Sequence, residues 1–308
     1  MGITLRRIFA DPFNARGRWY KGNLHTHSDR SDGTRSPEQL VDMYREAGYD
    51  FLSITDHSIV TDIASLHDRG LLLIPGEELC VGSSHARTNY HIVGVGVQET
   101  LPFRDFDDEL DPQYVVDKIN DLVGISILAH PYWSGLCHSD MMAVEGLCGV
   151  EIYNTSCDLE RNTGLSTSHV DGLIAAGRRI NIFAVDDHHG ADRPTMPVDA
   201  CGAWIMVKSP SPKEGDLLEC IRSGLFYSST GPEIKKISVD NNKVIHVQCS
   251  PAKSVSFVST PSLGMKFHAR DEPITSVSYP GRPGETYIRV EVADWEGRTA
   301  WSNPIYNV

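Results

Sequence analysis

The chain has 308 residues, a length that suits one barrel plus a small module, and its 40% hydrophobic and 22% charged content is ordinary for a soluble globular protein. Its formal net charge of -13 argues against broad electrostatic binding to nucleic acid or to an anionic membrane, since both need basic surface. No apolar run approaches the roughly 20 residues that span a bilayer, and the first residues show no signal-peptide pattern.

The seven cysteines are odd in number and scattered, and they form no Cys-x-x-Cys pair. Such a pattern is typical of reduced thiols that are mostly buried as small apolar residues. We therefore expect a cytoplasmic protein, and a homo-oligomer remains an open alternative.

The first motif in chain order is GNLHTHSDRSD, at residues 22–32. Side chains two apart on a strand share a face, so His25 and His27 point to the same side where a short strand ends. Asp32 follows in a Ser-Asp-Gly turn that can bring a third ligand back over the strand end. A pair of histidines can also be an ordinary hydrogen-bonding pair, and it is the similar clusters downstream that favour a metal site.

Strands and helices then alternate. Ser36 is the expected N-cap of the first helix, with Pro37 in the first position and Gln39 completing a capping box. Buried strands are predicted at residues 51–54, 71–74, 91–97, 125–129, 150–153, 180–185 and 201–207, and further helices at 61–69, 112–122 and 166–176 and behind a second capping box at 211–214. This alternation predicts an α/β fold with a parallel sheet covered on both faces.

The pattern changes from about residue 234. Segments that alternate or are β-branched occupy residues 236–239, 244–248, 255–258, 286–292 and 300–305, with turn residues between them and no helix signal. Short strands at this spacing predict a small antiparallel β-sandwich. The predicted division is therefore 1–231 for the α/β part and 232–308 for the sandwich.

Ionisable side chains follow one predicted strand after another. Such side chains converge at the carboxyl ends of barrel strands, where the loops to the helices meet. The candidate ligands are His25, His27, Asp32, His57, Glu78, His91, His130, Asp186 and His188. Histidine with carboxylate is a ligand set for zinc, manganese or iron, and no cysteine is expected at these strand ends. Nine ligands exceed what one ion can use, so we expect two or three divalent ions that share a bridging carboxylate.

Five motifs carry a family resemblance: HTHSDRSDG at residues 25–33, ITDHS at 54–58, PGEE at 75–78, AHP at 129–131 and VDDHHG at 185–190. In this order and spacing they resemble the polymerase and histidinol phosphatase (PHP) superfamily of metal-dependent phosphoesterases, over roughly residues 18–231. The chain is also similar to the branch that includes carbaryl-hydrolase-type proteins. That finer similarity rests on GNLHTH, on Tyr44-Arg45, on Gly48-Tyr49-Asp50 and on a carboxy-terminal β-module ending in AWSNPIY.

The resemblance implies a distorted barrel of seven strands and a division of the ligands. His25 and His27 would hold one ion with Glu78 and Asp186, while Glu78 would bridge to a second ion held by His91 and His130. Asp32, His57 and His188 would hold a third. Glu78 is preferred to Glu77 because the family pattern is Gly-x-Glu and strand alternation turns Glu77 away. His85 is an alternative to His91 or a substrate contact.

Further side chains have less specific signals. Asp56 is expected either to support His57 or to act as a turn residue, and His189 either protonates a leaving group or is only solvated. Asp187 is expected to be solvated or to support a ligand. His138 and Arg161 lie in loops where a phosphate contact would be useful, because arginine binds phosphate in a bidentate fork.

Three functions follow as hypotheses. A metal-activated hydroxide would hydrolyse a small phosphate ester. The same hydroxide could instead attack a carboxylic ester, amide or carbamate, an alternative favoured by the small number of basic loop residues: Arg30, Arg87, Arg161 and Arg193. The third hypothesis is a non-catalytic protein that uses metal for stability. Neither a phosphate-binding glycine loop nor a serine-centred elbow is present in the sequence to support other chemistry.

Overall fold

The computed structural model describes residues 7–190, 197–260 and 263–307. Its strands are, in chain order, β1 (Arg7–Ile8), β2 (Arg18–Asn23), β3 (Phe51–Ile54), β4 (Leu72–Val81), β5 (Tyr90–Val95), β6 (Ile125–Leu128), β7 (Gly149–Asn154), β8 (Asn181–Val185), β9 (Trp204–Ser209), β10 (Phe226–Ser229), β11 (Ile234–Val239), β12 (Ile245–Ala252), β13 (Ser254–Ser259), β14 (Gly264–His268), β15 (Ile274–Tyr279), β16 (Tyr287–Ala293), β17 (Thr299–Ser302) and β18 (Ile305–Asn307). Its α-helices are α1 (Pro37–Glu46), α2 (Pro112–Asp121), α3 (His138–Met142), α4 (Thr155–Arg161), α5 (Thr167–Ala175) and α6 (Glu214–Arg222).

The helix starts show where local sequence decides structure. Ser36 caps α1 and forms the predicted capping box with Gln39. The predicted helix at 61–69 is a 3₁₀ helix over Ala64–Arg69. The second capping box is wrong: α6 begins only at Glu214, and the hydroxyl of Ser211 donates to Asp216 instead. Among the described residues, no helix is long and apolar enough to cross a membrane.

Strands β2 to β8 follow one another in a large sheet, but not all run the same way. The pairs β2/β3, β3/β4, β6/β7 and β7/β8 are parallel, whereas β5 is antiparallel to both β4 and β6. The expected all-parallel sheet is therefore wrong at β5. Because β5 is reversed, its amino end lies beside the carboxyl ends of its neighbours, and the second residue of β5 is His91. The reversal thus keeps that histidine at the same edge as the other candidate ligands.

Strands β2 to β8 curl so that the chain beyond β8 returns to the end of β2. Beyond β8, the N–H of Asp187 donates to the carbonyl of His25, and the N–H of His27 donates to the carbonyl of His188, each at 2.9 Å. Apolar side chains fill the inside of this curled sheet, among them Phe51, Val93, Phe183, Val185 and Ile205. Those on the outside pack under helices such as α2 and α5. The fold is thus mixed α/β with a large sheet, as expected.

The carboxy-terminal strands are joined to the rest of the chain by hydrogen bonds. β17 pairs with β10, so that the large sheet continues into β16, β13, β14 and β18, while β11, β12 and β15 form a separate three-stranded sheet. An apolar cluster lies among these strands and includes Ile237, Val247, Phe257 and Val290. Strands β14 and β15 had no counterpart among the predicted strands. The division at residues 231 and 232 stays a prediction.

Candidate metal centre

A cavity of about 470 Å³ opens at the edge of the curled sheet where the strands β3, β4 and β6 to β8 end. It is lined by Asp32, Thr34, His57, Glu78, His91, Phe106, His130, Trp133, Ser156, Cys157, Glu160, Asp187, His189 and Asp199. Histidines and carboxylates predominate in this lining, and most of them are buried. Buried ionisable groups are costly unless they are paired or coordinate a metal, so this edge of the sheet is the candidate site.

The carboxylate of Glu78 lies at the middle of the cluster. One oxygen, Oε2, is 3.3–3.4 Å from ring nitrogens of His25, His27 and His57. The other, Oε1, is 3.0 Å from His91 Nδ1 and 3.4 Å from His130 Nε2. Although burial raises the pKa of this carboxyl group, the surrounding histidines hold it well below its ordinary value. A carboxylate whose two oxygens face different histidines is arranged to bridge two ions.

The neighbouring Glu77 points away from the cluster, as strand alternation predicts. Its Oε1 accepts a hydrogen bond from the N–H of Leu101 at 2.8 Å, and burial raises its pKa to about 7. The two adjacent glutamates therefore have opposite environments, and only Glu78 faces the histidines.

Four ligand atoms form a cage of the size that a transition metal needs. Three of these atoms lie 3.1 Å from one another: His25 Nε2, His27 Nε2 and Asp187 Oδ1. The fourth, Glu78 Oε2, lies 3.3–3.4 Å from both histidine nitrogens. A tetrahedron with metal–ligand bonds of about 2.0–2.1 Å has edges of roughly 3.3–3.4 Å. The buried Asp187 Oδ1 has no hydrogen-bond partner among the described residues. The distances and the unpartnered oxygen both fit a bound cation.

Two further groups of ligand atoms adjoin this cage. His91 and His130 share Glu78 Oε1, and His130 Nδ1 is 3.0 Å from the hydroxyl of Ser134. On the open side, Asp32 Oδ2 lies 3.4 Å from His189 Nε2 and 3.6 Å from His57 Nε2. The structure thus brings candidate ligand atoms together in three neighbouring groups.

Two predicted ligands lie outside these groups, because the register at the end of β8 differs by one residue from the prediction. Asp186 accepts hydrogen bonds from the hydroxyls of Tyr44 and Thr155 and from the N–H groups of residues 201–203, at 2.8–3.0 Å. His188 turns its Nδ1 to Asp199 at 2.5 Å. Asp187 and His189 enter the cluster in their place. Asp187 is buried, so of its two predicted roles the solvated one is wrong, and its place among the ligand atoms makes it a candidate ligand.

Strand alternation accounts for this register. Phe183 and Val185 face the inside of the curled sheet, and alternation continues that face to Asp187. Asp187 itself has a φ of +55°, and His130 has a φ of +24°, a region that side chains rarely adopt. Backbone strain of this kind occurs at functional sites where the surrounding structure enforces it.

Charge pairing across the cluster raises the pKa values of two histidines. Burial lowers the pKa of His57, but the charges of Glu78 and Asp32 outweigh it and raise the pKa to about 9. His189 responds in the same way to Asp187 and Asp32, and its pKa rises to about 10. In the metal-free chain these rings therefore hold protons at neutral pH, in positions where cations would otherwise balance the carboxylates.

Three participants were missed by sequence reasoning. Glu151, on β7, accepts from His25 Nδ1 at 2.7 Å and from the N–H of His130 at 2.8 Å, so that it orients two candidate ligands. Asp199 contacts His188 Nδ1 and accepts hydrogen bonds from the N–H groups of His189 and Gly190. Cys80 lies two residues beyond Glu78 on the same face of β4, with Sγ 3.3 Å from His91 Nδ1. A carboxylate inside the apolar strand 150–153 was the available signal for Glu151.

Four residues with predicted catalytic or substrate-binding roles lie outside the three ligand groups. Asp56 accepts hydrogen bonds from the N–H and hydroxyl of Ser28 and from the hydroxyls of Ser31 and Thr61, so it fixes the turn that carries Asp32. His85 is 73% exposed and pairs with Asp140, outside the cavity lining. His138 is exposed at the start of α3. Arg161 pairs with Glu160, and its guanidinium lies 5.8 Å from the ring of Trp133 at the rim. Arg193 lies outside the described residues.

A solved structure shows a similar fold. The chain is similar to a two-domain protein from Bacteroides vulgatus described as containing a predicted PHP-like metal-dependent phosphoesterase, with a TM-score of 0.54, 14% identity and 95% of each chain covered. At this level of identity the similarity concerns the fold. No protein-family model matches the chain.

Sequence relatives cover parts of the chain. An uncharacterized protein of Methanocaldococcus jannaschii is 26% identical over 147 residues, which is 44% of this chain and 81% of that protein. The 5'-3' exoribonuclease Rnm of Escherichia coli is 37% identical over 87 residues, and a 3',5'-nucleoside bisphosphate phosphatase of Chromobacterium violaceum is 32% identical over 84. Each of these two matches spans 26% of this chain and 29% of the relative's length.

Proposed function

Because the chain resembles the PHP superfamily in its motifs and its fold, we propose that it is a metal-dependent phosphoesterase that acts on a small-molecule phosphate ester. One observation carries the proposal: the Glu78 carboxylate, surrounded by five histidines within 3.0–3.4 Å of its oxygens. A purely structural core would satisfy such a carboxylate with neutral donors rather than with five titratable rings.

Each ligand group has its own residues in the proposal. His25, His27, Glu78 and Asp187 would hold one divalent ion; Glu78, His91 and His130 would hold a second; Asp32, His57 and His189 would hold a third. Zinc, manganese and iron suit histidine with carboxylate. When bound, such ions supply Lewis acidity and lower the pKa of a coordinated water from 15.7 towards 7.

The chain's own residues would set the geometry of the reaction. Glu151 holds the His25 ring and the backbone at His130, so two ligand groups keep a fixed relative position. Phe106 and Trp133 form an apolar wall beside the ligands, which would hold the organic part of a substrate. Because His189 contacts Asp32 within the third group, we assign it to the ligands rather than to proton donation.

Metal removal tests the proposal. Chelator-treated protein should lose turnover of an aryl phosphate, and turnover should return when zinc, manganese or iron is restored. The purified protein should contain at least two equivalents of transition metal per chain. Metal-free protein that folds normally and turns over just as fast would contradict the proposal.

A carboxylic ester, amide or carbamate is the second candidate substrate, in line with the proposed similarity to carbaryl-hydrolase-type proteins. The observation in its favour is that none of the described residues lining the cavity is Arg or Lys, whereas phosphate sites are usually complemented by such side chains. A panel of matched aryl phosphates, esters and carbamates separates the two candidates. Strong carbamate or ester hydrolysis without phosphatase activity would reverse their order.

The domain division is part of the same proposal. Residues 1–231 would form a distorted seven-stranded barrel that holds the metal centre, and residues 232–308 a β-sandwich. The return of the chain beyond β8 to the end of β2 supports the barrel, and the apolar cluster among the carboxy-terminal strands supports the sandwich.

A further inference from the structure

Two loops meet beside the cavity and bring together a second group of metal-binding side chains. The first loop, residues 82–89, connects β4 to β5, and the second, residues 129–137, follows β6 and leads into α3, whose first turn carries Asp140. Ligand atoms of His85, Cys137 and Asp140 lie within 4.8 Å of one another where the loops meet. These three residues are absent from the cavity lining, and they have no part in the proposed hydrolysis.

Asp140 is the fixed member of this group. Its side chain is only 2% exposed, and Oδ2 accepts a hydrogen bond from the N–H of Cys137 at 2.8 Å. Its Oδ1 accepts from the N–H of His85 at 3.1 Å and is 2.5 Å from His85 Nδ1. Its carboxylate is thus held in place by backbone donors beneath the two exposed side chains.

The other two side chains are exposed and can move, although Cys137 Sγ also lies 3.0 Å from the hydroxyl of Ser139. Cys137 is exposed and His85 is 73% exposed, with Sγ and Nδ1 3.8 Å apart. Zinc bonds of about 2.3 Å to sulfur and 2.0–2.1 Å to nitrogen place these atoms roughly 3.5 Å apart in a tetrahedral site. The cation would take the place of the proton between His85 Nδ1 and Asp140 Oδ1, and those atoms would separate by roughly 1 Å. An exposed ring can make that movement without disturbing the core.

We propose that His85, Cys137 and Asp140 form a separate site for one thiophilic divalent cation, of which zinc is the best match. Thiolate, imidazole and carboxylate are all zinc ligands, and the thiolate disfavours magnesium and calcium. The cation's two positive charges balance one thiolate and one carboxylate. Three protein ligands leave the fourth position open to solvent.

The site would link the loops that flank the metal centre. The hydroxyl of Thr88 already donates to the carbonyl of Ser134 at 2.5 Å, and Ser134 contacts His130 through its own hydroxyl. A cation shared by His85 and Cys137 would strengthen the connection that Thr88 and His85 already make between the two segments. Its role would be structural, since it would hold the loop that follows His130.

Zinc stoichiometry of the full chain tests the site. Protein stripped with a chelator, reloaded with excess zinc and desalted should hold one equivalent more than either Cys137→Ser or His85→Ala. The matched control is His138→Ala, an exposed histidine one residue from Cys137 that lies outside the group. Equal zinc content in the parent and in both site variants would overturn the proposal.

Two further measurements identify the thiolate. Cobalt-loaded parent protein should show a thiolate charge-transfer band that is lost in Cys137→Ser and kept in Cys80→Ser, which separates this site from the cysteine beside the metal centre. Zinc should also slow alkylation of Cys137 in the unmodified chain, measured by peptide mass. A band that depends only on Cys80, or alkylation that zinc leaves unchanged, would contradict the assignment. Neither result would bear on the proposed hydrolysis.

Discussion

Two buried polar regions of this protein differ in how well their groups are satisfied. At the seam between the curled sheet and the carboxy-terminal strands, Asn303 accepts from the N–H of Ile182 and donates to the carbonyls of Gly224 and Phe226. Arg289, fully buried, pairs with Asp171 of α5 and with Glu291. At the candidate metal centre, by contrast, ring nitrogens of His25 and His27 face each other at 3.1 Å.

The contrast separates polar groups that stabilise the fold from polar groups that await a ligand. A hydrogen bond with both partners present contributes about 0.5–1.5 kcal/mol, and leaving a buried group unpartnered costs about 1–3 kcal/mol. The seam makes its bonds within the chain. The metal centre does not satisfy all its polar groups in this way, because its carboxylates and histidines need shared protons or cations between them. Substitutions at the seam should therefore reduce stability, whereas substitutions at the centre should reduce metal binding.

The largest expected effect is that of Glu78→Gln. Glutamine keeps the size of the side chain but removes the charge that five histidines share, so two proposed ions lose their common ligand. We expect activity to fall by at least about a thousandfold, because the activated hydroxide depends on the ions. Metal content by atomic emission should fall in parallel.

Glu77→Gln is the matched control for that substitution. Its carboxyl group has a pKa raised to about 7 by burial, so glutamine resembles a form that the residue already adopts near neutral pH. Activity and metal content should change little. Equal losses at the two positions would mean that the bridging role is assigned wrongly.

Asp187→Asn and Asp186→Asn should separate metal binding from stability in adjacent residues. Asp187→Asn weakens the first ligand group, and we expect metal affinity to fall about a hundredfold. Asp186→Asn turns an amide towards five donors, so the free energy of unfolding should fall by about 3 kcal/mol with the metals retained. Metal titration and chemical denaturation of both variants measure the contrast, and reversed outcomes would restore Asp186 as the ligand.

The same pair shows how far the sequence could predict the centre. His25, His27, His57, Glu78 and His130 come together as the motifs indicate. Strand β8 reads NIFAV, and after Asn181 its four remaining residues are apolar on both faces, so they contain no polar residue to set the alternation. The DDHH that follows offers two acids and two histidines. Only the packing of Phe183 inside the curled sheet selects between them.

Long-range contacts were the other part that local pattern could not predict. The helix cap at Ser36 depends on Gln39, three residues away, and it formed as predicted. Asn303 and Ile182 are 121 residues apart, and the three-residue segment Ser-Asn-Pro has no period or cap that names a partner. The aromatic residues beside that segment likewise have no local pattern that names a packing partner. In the structure, Trp301 stacks on Tyr153 of β7 at 5.9 Å.

Asn303→Ala tests the seam. The substitution leaves the N–H of Ile182 and two carbonyls without their partner, and we expect the free energy of unfolding to fall by about 3 kcal/mol. Metal stoichiometry should be unchanged, because the side chain lies away from the ligands. Asn241→Ala, in an exposed turn, is the control and should be neutral. A loss of metal from a folded Asn303→Ala variant would show that the carboxy-terminal strands help to build the centre.

Glu151→Gln should have an intermediate effect, because this residue orients ligands without binding metal itself. The substitution weakens the hold on the His25 ring, and loss of such a partner typically lowers metal affinity by about 10–100-fold. Equilibrium titration with zinc measures the change. Glu145→Gln, an exposed glutamate paired with Arg178, should bind zinc as the parent does. If Glu151→Gln lowers only the melting temperature, Glu151 belongs with the seam groups rather than with the metal centre.

Metal affinity should also depend on pH. In the metal-free chain the pKa of His57 is about 9 and that of His189 about 10, because Glu78, Asp32 and Asp187 outweigh the effect of burial. Both rings are protonated at neutral pH, so a cation must displace their protons, and its affinity should rise about tenfold per pH unit for each proton displaced until the pH passes these values.

The stability of the metal-free chain should move in the opposite sense. A histidine whose pKa is raised on folding stabilises the chain most below its unfolded value of about 6.5, and that contribution is lost as the pH rises through 9 to 10. The two trends can be measured by zinc titration and by chemical denaturation between about pH 6 and pH 10, a range that covers these pKa values. Metal affinity that stays constant across this range would mean that the third ligand group releases no protons and holds no ion.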